Sequence, residues 1–322
     1  MKYPYVEDAD KKLLLLCESK FQKLYKVDKK EEARERLLWE LEITEKQKSA
    51  SCWLFIYDVL QAINANEEEY WFRGTVGSLV LAYLLGMTSI DPVDCNPKLY
   101  SEFCINDSND YRCCFEANVS PSLYEKLVAY FDENLLHDNI SKFFTDEGDY
   151  CGVVIGGEQR RVYKGFASIP DSFHFLFFPY EKTAAKAKLE NYRPFLECKP
   201  IEVADYIKCL GLGHGIGVWE NNAEYLIKNG IVTLHEVIGN REDVYEMLLD
   251  HGVDRKIAFE ITDYVRKGIP KHRGWNAEML DVMENANIPA WFIESCTKIA
   301  CLFPRAHWMN YCQYYKGEFV YE

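Results

Sequence analysis

The sequence predicts an α+β protein in three parts: a helical stretch over 1–70, a strand-bearing middle over 71–190 and an all-helical region over 191–322. Three observations lead there. Apolar residues recur at helical spacing from Tyr5 to Asn64. Short apolar runs bounded by turn formers lie between Cys113 and Phe178. Beyond Asn191 the chain breaks into brief helical segments punctuated by Gly and Pro.

In order, the first helix is read from Leu14, Leu15, Phe21 and Leu24 within Lys11–Tyr25, and the second from Leu37, Leu38, Leu41 and Ile43 within Lys29–Glu45. Cys52–Ile63 gives a third. The charge runs Lys29–Arg36 and Glu67–Glu69 read as solvated helix faces. Arg73–Ser78 is a glycine-containing turn, followed by an apolar helix over Leu79–Leu85 that Gly86 ends. Strand candidates are Cys113–Val119, Val153–Ile155, Val162–Ala167 and Phe173–Phe178. Between the first two, Pro121–Tyr130 is a helix with Ser120 as its cap and Pro in its first turn. The last part offers helices at Glu202–Leu210, Asn222–Lys228, Leu234–Ile238, Glu242–Asp250, Arg255–Lys267, Asn276–Asn285, Pro289–Ala300 and Arg305–Tyr315.

A hydrophobic fraction of 48% and an aromatic fraction of 15% suffice for a packed core. A net charge of −14 argues against broad electrostatic capture of long duplex DNA, and leaves room for a local basic groove. Residues Met1–Tyr5 lack a signal-peptide core and Leu13–Cys17 is too short to span a membrane, so the expectation is a cytoplasmic protein. Its twelve cysteines are then reduced thiols, most of them small buried hydrophobes.

The turn Arg73-Gly74-Thr75-Val76-Gly77-Ser78 has two readings. Glycines admit close backbone approach, amides at a helix start suit phosphate, and Arg73, Thr75 and Ser78 add donors. Equally, it is a plain turn and helix cap. The surrounding residues add context: Arg34-Glu35-Arg36-Leu37, then Arg73–Ser78, then Leu85-Gly86-Met87-Thr88-Ser89-Ile90-Asp91-Pro92. This order resembles the palm domain of PolC-type DNA polymerase III alpha subunits, the C-family replicative polymerases, whose Gly-Ser turn cradles the incoming triphosphate. The resemblance implies a small polymerase-beta-like nucleotidyltransferase palm, helical at its N-terminal side. It assigns nucleotide binding to Arg73, Gly74, Thr75, Gly77 and Ser78. Where the family has Gly-Ser before the Arg, this chain has Trp71-Phe72.

Two-metal phosphoryl transfer needs carboxylates on alternate residues of a strand. The family's Pro-Asp-Ile-Asp-Leu-Asn-Phe-Ser aligns with Cys113–Ser120, which puts Cys114 at the first aspartate and Glu116 at the second. Thiol sulfur is a poor magnesium ligand, so Glu116 is the one matching metal and catalytic candidate. The family's third aspartate should lie near Phe173–Phe178, where none is found; Asp110 and Asp171 are the available substitutes. The expectation is a chain without polymerase activity, and no cofactor is assigned beyond a weak magnesium option.

Residues 197–315 resemble the family's helical fingers, through Gly211-Leu212-Gly213-His214-Gly215 and Val218-Trp219, Leu234–Asp243, Val265–Gly268, Ile288–Ile299 and Phe303–His307. The resemblance implies an all-helical fingers-like domain with Lys298, Arg305, His307 and Tyr311 toward nucleotide and His214 toward template. Trp308-Met309-Asn310 replace the family's Ala-Ala before the Tyr. It also raises a zinc option at Cys95, Cys104, Cys113 and Cys114, without the family's close cysteine pairs. Palm and fingers alone are represented. The expected partners are a deoxynucleotide or a DNA end, or a protein of replication or of a mobile element, with no membrane. The alternatives are an active nucleotidyltransferase with a rebuilt metal site, and a structural interaction module.

Overall fold

The computed structural model describes residues 6–25, 29–66, 69–106, 114–134, 140–144, 151–155, 173–179 and 193–314. Two compact units result, Met1–Lys182 with Gln313–Glu322, and Thr183–Cys312. The chain is α+β, as its residue periodicities predict.

In the first unit, helices α1 (Ala9–Leu24), α2 (Lys30–Lys46) and α3 (Ala50–Ala62) precede strand β1 (Tyr70–Phe72) and the short helix α4 (Val80–Leu84). Strand β2 (Cys114–Val119) leads into α5 (Pro121–Asn134), and β3 (Ile140–Phe144), β4 (Cys151–Ile155) and β5 (Phe173–Pro179) complete a sheet ordered β1-β2-β5-β4-β3. Only the central β2–β5 pair is parallel; Glu116 lies opposite Leu176. Alternation then decides the faces. Phe115, Ala117 and Val119 of β2 and Phe173, Phe175 and Phe177 of β5 are all buried in one core with the helices. Trp53 meets Phe115 edge-on at 4.8 Å, and Phe72 stacks on Phe175 at 6.2 Å. Cys114, Glu116 and Asn118 point the other way.

Ser120 caps α5 as expected, its Oγ accepting from the Leu123 amide at 3.2 Å. Strands β1 and β3 are not among the strands read from the sequence. Val162–Ala167, Asp110, Cys113 and Asp171 lie outside the described residues. Glu69, expected on a solvated helix, instead stands at the entrance to β1, where its carboxylate accepts from Ser122 Oγ at 2.9 Å. Arg36 is likewise no solvated charge, as shown below.

The second unit is helical: α6 (Arg193–Cys198), α7 (Val203–His214), α8 (Glu224–Lys228), α9 (Arg241–Asp250), α10 (Arg255–Arg266), α11 (Ile269–Arg273), α12 (Ala277–Asn285), α13 (Ala290–Lys298) and α14 (Arg305–Tyr314). The helix expected at Leu234–Ile238 is a turn. The Glu236 carboxylate accepts from the Thr233 amide at 2.8 Å and its hydroxyl at 2.7 Å, which closes the chain locally instead of letting it coil.

Candidate functional site

The glycine turn hangs off the edge of the sheet. β1 ends at Phe72, and the Arg73 amide donates to the Glu116 carbonyl at 2.8 Å, which fixes the turn against β2. Gly74 adopts a φ of +70°, open to glycine at no cost. Val76–Ser78 then make one 3-10 turn, closed by Ser78 Oγ donating to the Thr75 carbonyl at 2.7 Å. Arg73, Gly74 and Thr75 are half-buried, whereas Gly77 and Ser78 are buried.

What holds this turn comes from α2. Arg36 donates to Ser101 Oγ at 2.6 Å, to the Pro92 carbonyl at 3.1 Å and to the Ser78 carbonyl. One turn on, Glu40 is fully buried. Its two oxygens accept from the Val80 amide at 3.1 Å, the Leu81 amide at 2.8 Å and Ser101 Oγ at 2.6 Å. Burial pushes the Glu40 carboxyl above its ordinary range, while Arg36, Ser101 and the two amides pull it back. The first amides of α4 thus serve an anion already, and that anion is the protein's own. The sequence signal was present in the Arg36-to-Glu40 spacing, which puts both side chains on one helix face.

Arg73, Glu116 and Phe178 meet on the open side. Arg73 Nη1 lies 3.8 Å from Glu116 Oε2, and the guanidinium carbon stands 4.7 Å over the Phe178 ring. Burial raises the Glu116 pKa, with Arg73 opposing. Across from Cys114, Glu116 and Asn118 the register positions on β5 are His174, Leu176 and Phe178. Among the described strands Glu116 is the one carboxylate. Magnesium wants several hard oxygens; one glutamate beside a thiol and a leucine does not fit a magnesium pair.

Zinc fares no better among the described residues, which hold no group of three His, Cys, Asp or Glu suited to a metal. Cys95 Sγ rests 3.5 Å from the Pro92 and Pro97 carbonyls. The Cys104 thiol bonds the Thr75 side chain and is pushed up to about 12 by burial. Of the ten cysteines whose side chains are described, four are buried and six are partly exposed, fewer buried than the sequence led one to expect.

In the second unit the fingers candidates fall into two settings. Arg305 is buried; its guanidinium reaches Asp243 at 2.7 Å and Glu246 at 2.6 Å, and its amide donates to Glu242 at 2.9 Å. Asp243 also takes Lys208 at 2.7 Å and the Gly239 and Asn240 amides at 2.7 Å each. Burial alone would raise Asp243, yet the Lys208 and Arg305 charges hold it down to about 2. His214, His307 and Tyr311 gather around Trp308, whose ring centroid is 4.6 Å from His214, 4.4 Å from His307 and 6.3 Å from Tyr311. Trp308 is 3% exposed, so the side chain replacing the family's alanine fills the space between the three. Burial lowers the His214 pKa, which keeps it neutral near pH 7. Lys298 is half-buried, its side chain 38% exposed and paired with Glu294 at 2.8 Å. No described helix is long and apolar enough to cross a membrane.

Part of the chain is similar to known proteins. Residues 11–145 match the model of the bacterial DNA polymerase III alpha NTPase domain. The PolC-type DNA polymerase III of Caldanaerobacter subterraneus is 40% identical over 116 residues, 36% of this chain and 8% of that protein. Its counterpart from Lacticaseibacillus paracasei is 46% identical over 111 residues, 34% of this chain and 8% of that one. The Bacillus subtilis protein is 41% identical over 111 residues, 34% of this chain and 7% of its own length. The aligned segments thus span less than a tenth of these relatives, and over them the chain is similar to PolC-type DNA polymerase III.

Proposed function

We propose that the chain binds a nucleotide or a nucleic-acid end at the Arg73 turn and does not transfer nucleotides. The observation that carries this reading is the single carboxylate, Glu116, on the described strands, set against Arg73 rather than beside another carboxylate. Two-metal catalysis has too few ligands there, while Arg73 over Phe178 retains a planar cation and an aromatic face for phosphate and base. The domain reading goes with it: a helical segment over 1–70, a reduced palm over 71–190 and a fingers-like domain over 191–322. Arg305 and the cluster around Trp308 then act as scaffold of the fingers-like domain.

Primer extension with Mg²⁺ and with Mn²⁺, beside calorimetric titration of a deoxynucleoside triphosphate into wild type and Arg73→Ala, tests both halves. The expectation is no extension, and heat that Arg73→Ala removes. A lengthened primer that Glu116→Ala abolishes would overturn the first half; absence of heat from wild type would overturn the second.

A further inference from the structure

We propose that Cys198 and Cys209 form a peroxide-oxidisable dithiol, a modification site that clips α6 onto α7. Helix α6 is only six residues long and Cys198 ends it. Cys209 lies in α7, fully buried, and its thiol donates to the Pro194 carbonyl at 3.7 Å. Pro194 and Cys198 are one turn apart on α6, so the group that meets Pro194 lies beside Cys198 as well. The two thiols are close enough to perturb each other's titration. Nearby, the rings of Phe195 and Tyr206 pack at 5.7 Å and hold the same two helices together.

Accessibility divides the roles. Cys198 is partly exposed and Cys209 is not. The neighbouring Cys209 thiol holds the Cys198 thiol below its ordinary value, whereas burial pushes Cys95 up to about 11 and Cys17 and Cys312 up to about 12. Cys198 is therefore the attacking thiolate. It attacks one oxygen of hydrogen peroxide; the S–O bond of the sulfenic acid forms as the O–O bond breaks, and the hydroxide that leaves takes a proton from solvent to become water. The Cys209 thiol then attacks that sulfur, the S–OH bond breaks, the hydroxyl leaves as water with the thiol proton, and the disulfide forms. Besides that ring pair and the Pro194 contact, α6 is tied down by ion pairs, Arg193 with Glu224 and Lys228 with Glu197 at 2.9 Å, which contribute little in water.

The test is peptide mapping of the full chain after hydrogen peroxide and thiol blocking. A Cys198–Cys209 crosslink reversed by dithiothreitol is expected. In Cys209→Ser, the crosslink should vanish and Cys198 should accumulate as a dimedone-reactive sulfenic acid, at least several-fold above wild type. Circular dichroism checks that this variant folds. If wild type instead stays unlinked at these two residues, or Cys198 links to another cysteine, the assignment is wrong. The wild-type map decides this even should the variant misfold.

Discussion

Replacing Glu116 with Gln separates two roles that a glutamate beside an arginine can play. If Glu116 held a metal, the amide would weaken magnesium-dependent binding. If it neutralises Arg73, the amide would free that cation for phosphate. At the observed separation of 3.8 Å the pair attraction is ~1 kcal/mol in the dielectric of water and ~4 kcal/mol at an effective dielectric of 20. Both side chains retain about a quarter of their exposure, 28% and 23%. Solvent screening then brings the estimate to ~1–2 kcal/mol. Affinity for a deoxynucleoside triphosphate should rise about five- to thirty-fold in Glu116→Gln, measured by calorimetry in chelator. pH supplies a second reading of the same pair. Burial raises the Glu116 pKa, so acidification neutralises it sooner than an exposed glutamate. Wild-type affinity should climb toward that of Glu116→Gln as pH falls, and the difference between the two proteins, which cancels titration of the ligand, should close. Unchanged or weaker binding in Glu116→Gln without metal would refute the argument.

Three further outcomes follow from the described contacts. Glu40→Ala leaves two amides and Ser101 without their buried acceptor and should cost about 3 kcal/mol in urea unfolding, with Glu40→Gln intermediate. Gly217→Ala puts a methyl 2.1 Å from the Lys298 carbonyl oxygen at a φ of +75° and should cost more than about 3 kcal/mol, whereas Gly74→Ala, at +70° in open space, should cost only about 1–2 kcal/mol in thermal unfolding. Burial raises Glu242 to about 7, above its unfolded value of 4.5, so the folded state holds the extra proton and stability falls as pH rises through that window. Glu242→Gln should flatten that decline by up to about 1.4 kcal/mol per pH unit, read from melting against pH.

Much of the fold was legible because its signals are local. Ser120 before Pro121 announced α5, and the run of alternate phenylalanines announced β5. The register between β2 and β5 was not, because pairing residues about sixty apart leaves no trace in either strand's own pattern. Arg36 and Glu40 show a second kind of miss. Read along α2, Arg36 closes a charge run expected to be solvated, and Glu40 is one more helical charge beyond it. Only when α4 and Ser101 pack against that face does the carboxylate become a cap and the arginine a clamp. The residues assigned by likeness to the fingers divide similarly: Arg305 carries the right charge in the right order, yet three neighbouring carboxylates, none of them contiguous with it in sequence, determine what that charge meets.

Charge counting at the Arg73 turn joins these points. A site that takes a triphosphate with two metal ions balances four negative charges against four positive ones and then needs carboxylates to hold the metals. Here the described strands supply Glu116 alone, and Arg73 already stands against it, so the pair sums to zero. The nearby helix start adds nothing, since the amides of Val80 and Leu81 are satisfied by Glu40. A highly charged ligand would have to bring its own counterion, whereas a ligand with one or two phosphate charges and an exposed base would match a single guanidinium and the Phe178 ring. On this reasoning a deoxynucleoside monophosphate or a DNA end should bind at least as tightly as the triphosphate in the absence of magnesium. A triphosphate preferred tenfold or more under that condition would mean that cations beyond Arg73 face the turn.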